Sequence, residues 1–328
     1  MAANLSPEYI KAEKEYRASK TPEEKLACLQ RMLSVIPKHK GTEKIQADLK
    51  RKISQFKDVI EHQSKKKGLS YRVKPEGAGQ IVLIGPPNSG KSSLLAAMTH
   101  AEPEIADYPF TTREPIPGMA VYQDIKIQMV DLPPVSREHC ENFVFENIRG
   151  ADGALLVIDL SAPDPIEEYQ QTIQLLDEKK IQPVPPETPK EEEEMSIRRI
   201  RARLLLNKGD RDPTGEMASL VREMLGSPLP TRVISARERF GLETLAEEWF
   251  RLLHVIRVYS KQPGKPPDLE APFTIPIGAT VLDFAGHVHK DFAENLKYAR
   301  IWGSAKFDGQ VVHRDHVLQD RDIVELSI

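Results

Sequence analysis

The chain reads as an α/β protein: a mostly parallel sheet with helices on both faces, preceded by a helical segment and followed by a small α+β unit. Three observations predict this. The runs Ile81–Ile84, Gly153–Leu160 and Leu204–Leu206 are almost continuously apolar, as strands buried on both faces are. They alternate with helical segments over about 180 residues, the pattern of a parallel sheet built from crossover units. Polar and glycine-rich loops follow these strands, at the sheet edge where ligand loops of such folds collect.

Composition limits the classes open to the chain. Of its 328 residues, 40% are apolar and 29% charged, an ordinary globular balance. The net charge is −3, but residues 1–70 hold 16 Lys/Arg against 9 Asp/Glu. A basic arm on a mildly acidic body fits contact with nucleic acid or another acidic surface, and equally a solvated helical face. Cys28 and Cys140 lack disulfide or metal-site spacing, which fits a reducing cytoplasm. The polar start of the chain reads as no signal peptide, and no apolar run approaches the ~18 residues of a membrane span.

Three domains are expected: a basic helical segment over 1–70, a nucleotide-binding domain over 78–260 and a final domain over 271–328. In the first, Pro7 and Pro22 follow the caps Ser6 and Thr21, where first-turn prolines belong. Leu26, Leu29, Leu33 and Ile36 share one helix face, and Ile45, Leu49, Ile53, Phe56 and Ile60 another, so these stripes should pack on each other, on the next domain or on a partner. Pro37 and Gly41 separate them, and Gly68–Gly79 reads as a linker. Strands are expected at Gly118–Gln123 and Ile125–Asp131 and helices at 138–149, Pro165–Lys180 and Pro213–Leu225. A last strand, Arg232–Ile234, precedes a closing helix, Leu242–Tyr259. Residues 182–195, with four prolines and five glutamates, read as a solvent-exposed insertion. Lys261–Pro272 reads as a proline-rich linker. Beyond it, strands are expected at Phe273–Ile277, Tyr298–Trp302, Lys306–Phe307 and Val324–Ser327, around a helix over Val281–Asn295.

The chemistry begins at Gly85. Gly85-Pro86-Pro87-Asn88-Ser89-Gly90-Lys91-Ser92 follows a buried strand, and Ser93 continues into a helix. That context marks a loop whose backbone N–H groups wrap a polyphosphate. The helix N-terminus adds partial positive charge. Lys91 reaches the β- and γ-phosphates, and the Ser92 hydroxyl binds Mg²⁺. One helix later, Thr112 lies in the loop Asp107–Arg113, placed to bind Mg²⁺ when a third phosphate holds that loop closed. Asp131 ends a strand at the position of the second carboxylate on the Mg²⁺ side.

The base is read elsewhere. Asn207-Lys208-Gly209-Asp210 follows a strand. Asp210 accepts the two N–H donors that guanine has and adenine lacks. Asn207 holds the loops and reaches the base, and the Lys208 stem lies on the ring. Ser235-Ala236-Arg237 ends the next strand; the Ala236 N–H is expected to face O6, with Ser235 ordering that loop.

On these residues the chain resembles the Obg superfamily of GTPases, and most closely the developmentally regulated GTP-binding proteins. Phe110-Thr111-Thr112, the start Asp131-Leu132-Pro133 and Asn88 match. Val255–Lys261, Lys265-Pro266-Pro267-Asp268, Leu296–Gly303 and Asp315–Asp320 resemble that branch's TGS domain, a ubiquitin-like β-grasp module. Pro37–Gln63 resembles its basic helical segment. The resemblance implies a P-loop GTPase that hydrolyses GTP to GDP with Mg²⁺ and works with ribosomes or RNA, with a protein activator as a further partner and no membrane. It also implies that Asn88 helps coordinate K⁺ beside the phosphates, which sets Asn88, Lys91 and Thr112 as catalytic candidates. Only about twenty residues separate Asp131 from the next strand, too few for the small internal domain many members carry. Pro134 departs from the family glycine, whose N–H donates to the γ-phosphate; proline has none. Val135 stands where Ras-like enzymes carry a water-orienting glutamine. Arg113, Arg137 and His139 are the nearby polar candidates for compensation. A binding module that holds guanine nucleotide without turning it over is the competing reading. The histidines His287, His289, His313 and His316 are expected to be solvent- or RNA-facing rather than metal ligands.

Overall fold

The computed structural model describes residues 22–36, 49, 51–53, 71–99, 114–137, 140–189 and 197–328. The expectations on Ser6, Pro7, Thr21, the Asp107–Arg113 loop with Thr112, His139 and residues 190–196 lie outside them. The chain forms two compact units, Met1–Ser70 and Tyr71–Ile328.

In the first unit, helix α1 (Pro22–Val35) starts at the expected proline. Leu29, Met32 and Ile36 are buried together with Leu49, and Leu33 and Ile53 pack against them. Among the described residues, Leu29, Leu33 and Ile36 of the first stripe thus pack with Leu49 and Ile53 of the second, and Ile45, Phe56 and Ile60 lie outside them.

The second unit holds two sheets. In the larger, β1 (Gln80–Ile84), β2 (Ile116–Tyr122), β3 (Ile125–Asp131), β4 (Gly153–Asp159), β5 (Ile181–Val184), β6 (Arg198–Asn207) and β7 (Thr231–Val233) run in the order β2-β3-β1-β4-β6-β5, with β7 also on β6. Every pairing is parallel except the β2–β3 hairpin. Side chains alternate between two buried faces. Val82, Ile84, Leu156, Ile158 and Leu206 face one core, with Val144, Phe145 and Leu176 from helices α3 (Asn142–Gly150) and α4 (Pro165–Glu178). Ile81, Leu83, Leu155, Val157 and Leu205 face the other. There they meet Leu94 and Leu95 of α2 (Lys91–Met98) and Trp249 and Leu252 of α6 (Leu245–Leu253). Helix α5 (Glu216–Leu225) completes the first layer.

The last strand pairings differ from the sequence reading. Strand β6 is ten residues long, not three, and its outer edge is shared: Arg198–Arg201 pair with β5 and Leu204–Leu206 with β7. The start of the proline- and glutamate-rich stretch is thus a strand, because Ile181 is buried and a parallel edge strand tolerates Pro183. Residues Tyr71–Gly79 are not a free linker either. The buried Asn147 carboxamide accepts from Val73 N (2.9 Å) and donates to Tyr71 O (2.9 Å), and Ala78 N donates to Lys126 O.

The smaller sheet runs β11-β10-β12-β8-β9, from β8 (Val255–Ser260), β9 (Phe273–Pro276), β10 (Tyr298–Trp302), β11 (Gln310–Val312) and β12 (Asp322–Ser327). Its first and last strands, β8 and β12, pair in parallel at the centre, and helix α7 (Val281–Val288) lays Val281, Phe284 and Ala285 across one face. This is a β-grasp fold. Its first strand corrects the expected helix Leu242–Tyr259. His254 adopts φ 58° and ends α6, and Val255-Ile256-Arg257-Val258-Tyr259, rich in β-branched residues, then suits a strand. Lys261–Pro272 is consequently the β8–β9 connection, not a linker between domains. The helix over Val281–Asn295 is two: His289, in extended backbone, ends α7 and caps α8 (Lys290–Asn295). Lys306–Phe307 is a turn; the strand follows at Gln310. The four histidines form no metal cluster among the described residues, and His313 pairs with Asp315 at 3.0 Å.

Among the described residues, Trp249 is the largest fully buried side chain, and its indole N–H has no hydrogen-bond partner there. Trp249→Ala should cost about 3–5 kcal/mol in urea unfolding, and Trp249→Phe clearly less, since only volume is lost.

Candidate nucleotide site

The loops after β1, β3, β4, β6 and β7 meet at one edge of the large sheet. Gly85 leaves β1 so close to β4 that a Cβ would stand 2.2 Å from Val157 O. Pro86 is buried, Pro87 half-buried and Asn88 exposed; Asn88 takes a left-handed conformation, φ 61°, which asparagine tolerates. Gly90, also left-handed at φ 90°, lies against Asn207, whose Nδ2 would be 2.1 Å from a Cβ. Both glycines are needed for close approach.

Lys91 is buried at the start of α2, and its ammonium donates to Gly85 O (3.0 Å) and Pro86 O (2.8 Å). Burial lowers its pKa to about 8, with the charges of Asp131 and Glu168 opposing. Ser92 Oγ donates to Asp131 Oδ2 at 2.5 Å. Ser93 is half-buried behind it. Asp131 is itself buried, and its other oxygen has no hydrogen-bond partner among the described residues. Desolvation raises its pKa against the pull of Lys91 and Ser92. A hydroxyl beside an orphaned carboxylate oxygen is a donor set suited to a hard divalent cation.

Beyond Asp131 the chain stays buried through Val135. Val135 N–H donates to Gly85 O at 3.1 Å, so the segment carrying Pro134 is fastened to the base of the phosphate-type loop. Arg137 pairs with Glu178 at 3.5 Å on the surface.

Asn207 joins the other loops. Its Nδ2 donates to Ser89 O (2.9 Å), its Oδ1 accepts from Ala236 N (3.0 Å), and its backbone O accepts from Leu160 N (3.0 Å). The Ala236 N–H, expected to face a base, is therefore committed to Asn207. Lys208, at φ 61°, donates through Nζ to Asp159 Oδ2 at 2.6 Å. Asp210 is exposed in the following turn. Buried Ser235 orders its loop by accepting from Glu238 N (3.1 Å), while the Arg237 side chain is exposed.

Two residues of this site escaped the sequence reading. Asp159 ends β4 as Asp131 ends β3, a signal the same reasoning could have used. Glu168 has none, because only the fold brings α4 close enough for its carboxyl to feel Lys91, Lys208 and Asp159. Burial, then the charge of Asp159, raises its pKa to about 7, with the two lysines opposing. The folded chain then keeps a proton that the unfolded chain, with an ordinary value near 4.5, gives up. Stability of the nucleotide-free protein should accordingly fall as pH rises from about 4.5 to about 7. In thermal unfolding, Glu168→Gln should gain on the wild type across that window and hold the gain above it.

Comparison with known proteins fits this geometry. Residues 80–185 match the 50S ribosome-binding GTPase family and residues 256–328 the TGS domain. An uncharacterized GTP-binding protein of Halobacterium salinarum is 30% identical over 371 residues, covering 93% of this chain and 98% of the relative. A second, of Methanocaldococcus jannaschii, is 28% identical over 362 residues, 93% of each chain. Developmentally-regulated G-protein 1 of Arabidopsis thaliana is 27% identical over 351 residues, 88% of this chain and 87% of that one. All three alignments are longer than the 328-residue chain, so the relatives carry residues that it lacks. With a P-loop GTPase domain, a TGS domain and similarity along nearly its whole length, the chain belongs to the same family of GTP-binding proteins as the Halobacterium relative, and it resembles the developmentally-regulated G-proteins.

Proposed function

We propose that this protein is a guanine-nucleotide switch that binds GTP and GDP with Mg²⁺ and hydrolyses GTP slowly. The carrying observation is the Ser92–Asp131 pair beside the Lys91 loop, with one buried Asp131 oxygen left without a partner. In this reading Gly85 to Ser93 wrap the phosphates. Lys91 exchanges its carbonyl partners for phosphate oxygens, which restores the full charge that burial weakens. Ser92, Asp131 and Thr112 hold Mg²⁺, which when bound supplies charge stabilisation to the phosphates. Asp210 selects guanine, and Lys208, steadied by Asp159, covers the ring. For O6 to be read by Ala236, its N–H must trade Asn207 for the base.

Hydrolysis is the step this chain is least equipped for. Val135 cannot orient water, and Pro134 cannot donate to the γ-phosphate. The remaining contributors are Lys91, Asn88 with K⁺, and a group supplied by a partner. A structured RNA or the ribosome is the partner proposed, on the basic balance of residues 1–70, with a separate protein activator as a further one. The cytoplasm is the location proposed; among the described residues no helix is long and apolar enough to cross a membrane.

A second reading has its own support. Val135 N–H is bonded to Gly85 O where a switch would free its backbone for the γ-phosphate. This favours a nucleotide-holding adaptor on a ribosome or RNA that barely turns GTP over.

Turnover by the pure protein with Mg²⁺, in KCl against NaCl, separates the two. The switch predicts slow turnover that potassium raises several-fold, and Asn88→Ala should abolish the potassium effect. Tight binding of GTP and GDP with no turnover in either salt, with or without ribosomes, would establish the adaptor. Pro134→Gly should raise turnover by about two to three orders of magnitude, the usual worth of one positioned donor. Unchanged turnover in that variant would show that the missing N–H is not what limits hydrolysis.

A further inference from the structure

The β2–β3 hairpin is paired along seven residues, from Ile116 opposite Asp131 to Tyr122 opposite Ile125. It spans roughly 20 Å at ordinary strand rise. Asp131, bonded to Ser92, stands at one end; the turn Gln123-Asp124 stands at the other.

That far end is gripped by the β-grasp domain. Arg257 of β8, 3% exposed, donates through Nη1 to Gln123 Oε1 (2.5 Å) and Asp124 Oδ1 (2.9 Å). Through Nε and Nη2 it forks onto Asp320 at 3.1 and 2.6 Å. Tyr259 OH donates to the other Asp124 oxygen, and Arg321 Nη2 to Gln123 Oε1 at 2.6 Å. The guanidinium also lies 5.8 and 5.0 Å from the rings of Tyr122, in the hairpin, and Phe250, in α6, which stack on each other at 5.3 Å. Burial alone would raise the Asp124 carboxyl, but the bonds from Tyr259 and Arg257 bring it below its ordinary value. A planar, permanently charged fork with the aromatic pair on one side and nearly all donors engaged fixes orientation as well as distance.

We infer that this clamp makes the hairpin a lever shared by the nucleotide site and the β-grasp domain. Movement of Asp131 or of the strand start at Ile116 reaches β8 and β12 through Asp124, and a partner on the β-grasp domain biases the nucleotide site by the same route, since such coupling is reciprocal. The inference rests on the nucleotide-binding reading above.

Hydrogen exchange of the full chain, without nucleotide, with GDP and with a non-hydrolysable GTP analogue, tests it, alongside direct binding of a fluorescent guanine nucleotide. In the wild type, exchange in 255–260 and 322–327 should change with nucleotide by about fivefold or more, the lower range of measured couplings. Asp124→Asn should cut that response below about twofold with nucleotide affinity retained. Asp320→Asn, which removes a partner inside the β-grasp domain itself, should keep the response. Tyr259→Phe is the milder version should Asp124→Asn fold poorly, and should weaken the response in part. An unaltered response in both Asp124→Asn and Tyr259→Phe, or no response in a wild type that binds nucleotide, overturns the lever. Absence of fluorescent-nucleotide binding overturns the reading on which it stands, and shows separately.

Discussion

One carboxamide holds the site together. Asn207 ends the longest strand of the large sheet, and its side chain and backbone oxygen tie the loops that follow β1, β4 and β7. These loops come from distant parts of the sequence and share no regular hydrogen bonding of their own. The asparagine side chain can serve two of them because it carries donors and an acceptor at once, and the backbone oxygen serves the third. The requirement is mutual. Gly90 must be glycine partly because Asn207 occupies the space a side chain would take. Removing the carboxamide would strand a buried carbonyl and a buried amide, each more costly than the bond itself.

Around that knot the site is built from charges kept near neutrality by pairing. Lys91 has Asp131 within electrostatic reach, Lys208 has Asp159 in direct contact, and Glu168 sits among them holding its proton up to about pH 7. A polyphosphate entering such a place would meet Lys91 already buried and already bonded to oxygen, while Lys208 is half-buried on its carboxylate. Their present acceptors are backbone carbonyls for Lys91 and a carboxylate for Lys208, which makes the first easier to displace than the second. Lys91 is thus the adaptable one, and Lys208 the fixed one.

How far the sequence spoke depended on how local each signal was. Ile81–Ile84 and Gly153–Asp159 declared themselves because a strand buried on both faces leaves no polar alternation to confuse. The loop from Gly85 to Ser93 and the Asn207–Asp210 turn were legible because their chemistry is contiguous. Val255–Ser260 was misread because it follows an amphipathic helix with one residue between, and apolar content alone does not separate a helix's last turns from a strand. The length of β6 was hidden by its arginines: Arg198, Arg201 and Arg203 are half-buried in the fold, and Arg199 stays exposed. The bond between Ala236 and Asn207, and the company Glu168 keeps, exist only after distant segments meet.

The single residue between α6 and β8 has a further meaning for how this molecule can be taken apart. A fragment ending before Val255 would lose Arg257 and Tyr259 together. Tyr122 and Phe250 would then present a stacked aromatic pair to water, and Asp124 would lose both of its cross-domain partners. The reverse fragment would leave Arg257, now buried, with an unfilled side facing solvent. Although two folds are distinguishable by eye, dissection at their junction cuts through one side-chain cluster, and the pieces should be stickier than the whole.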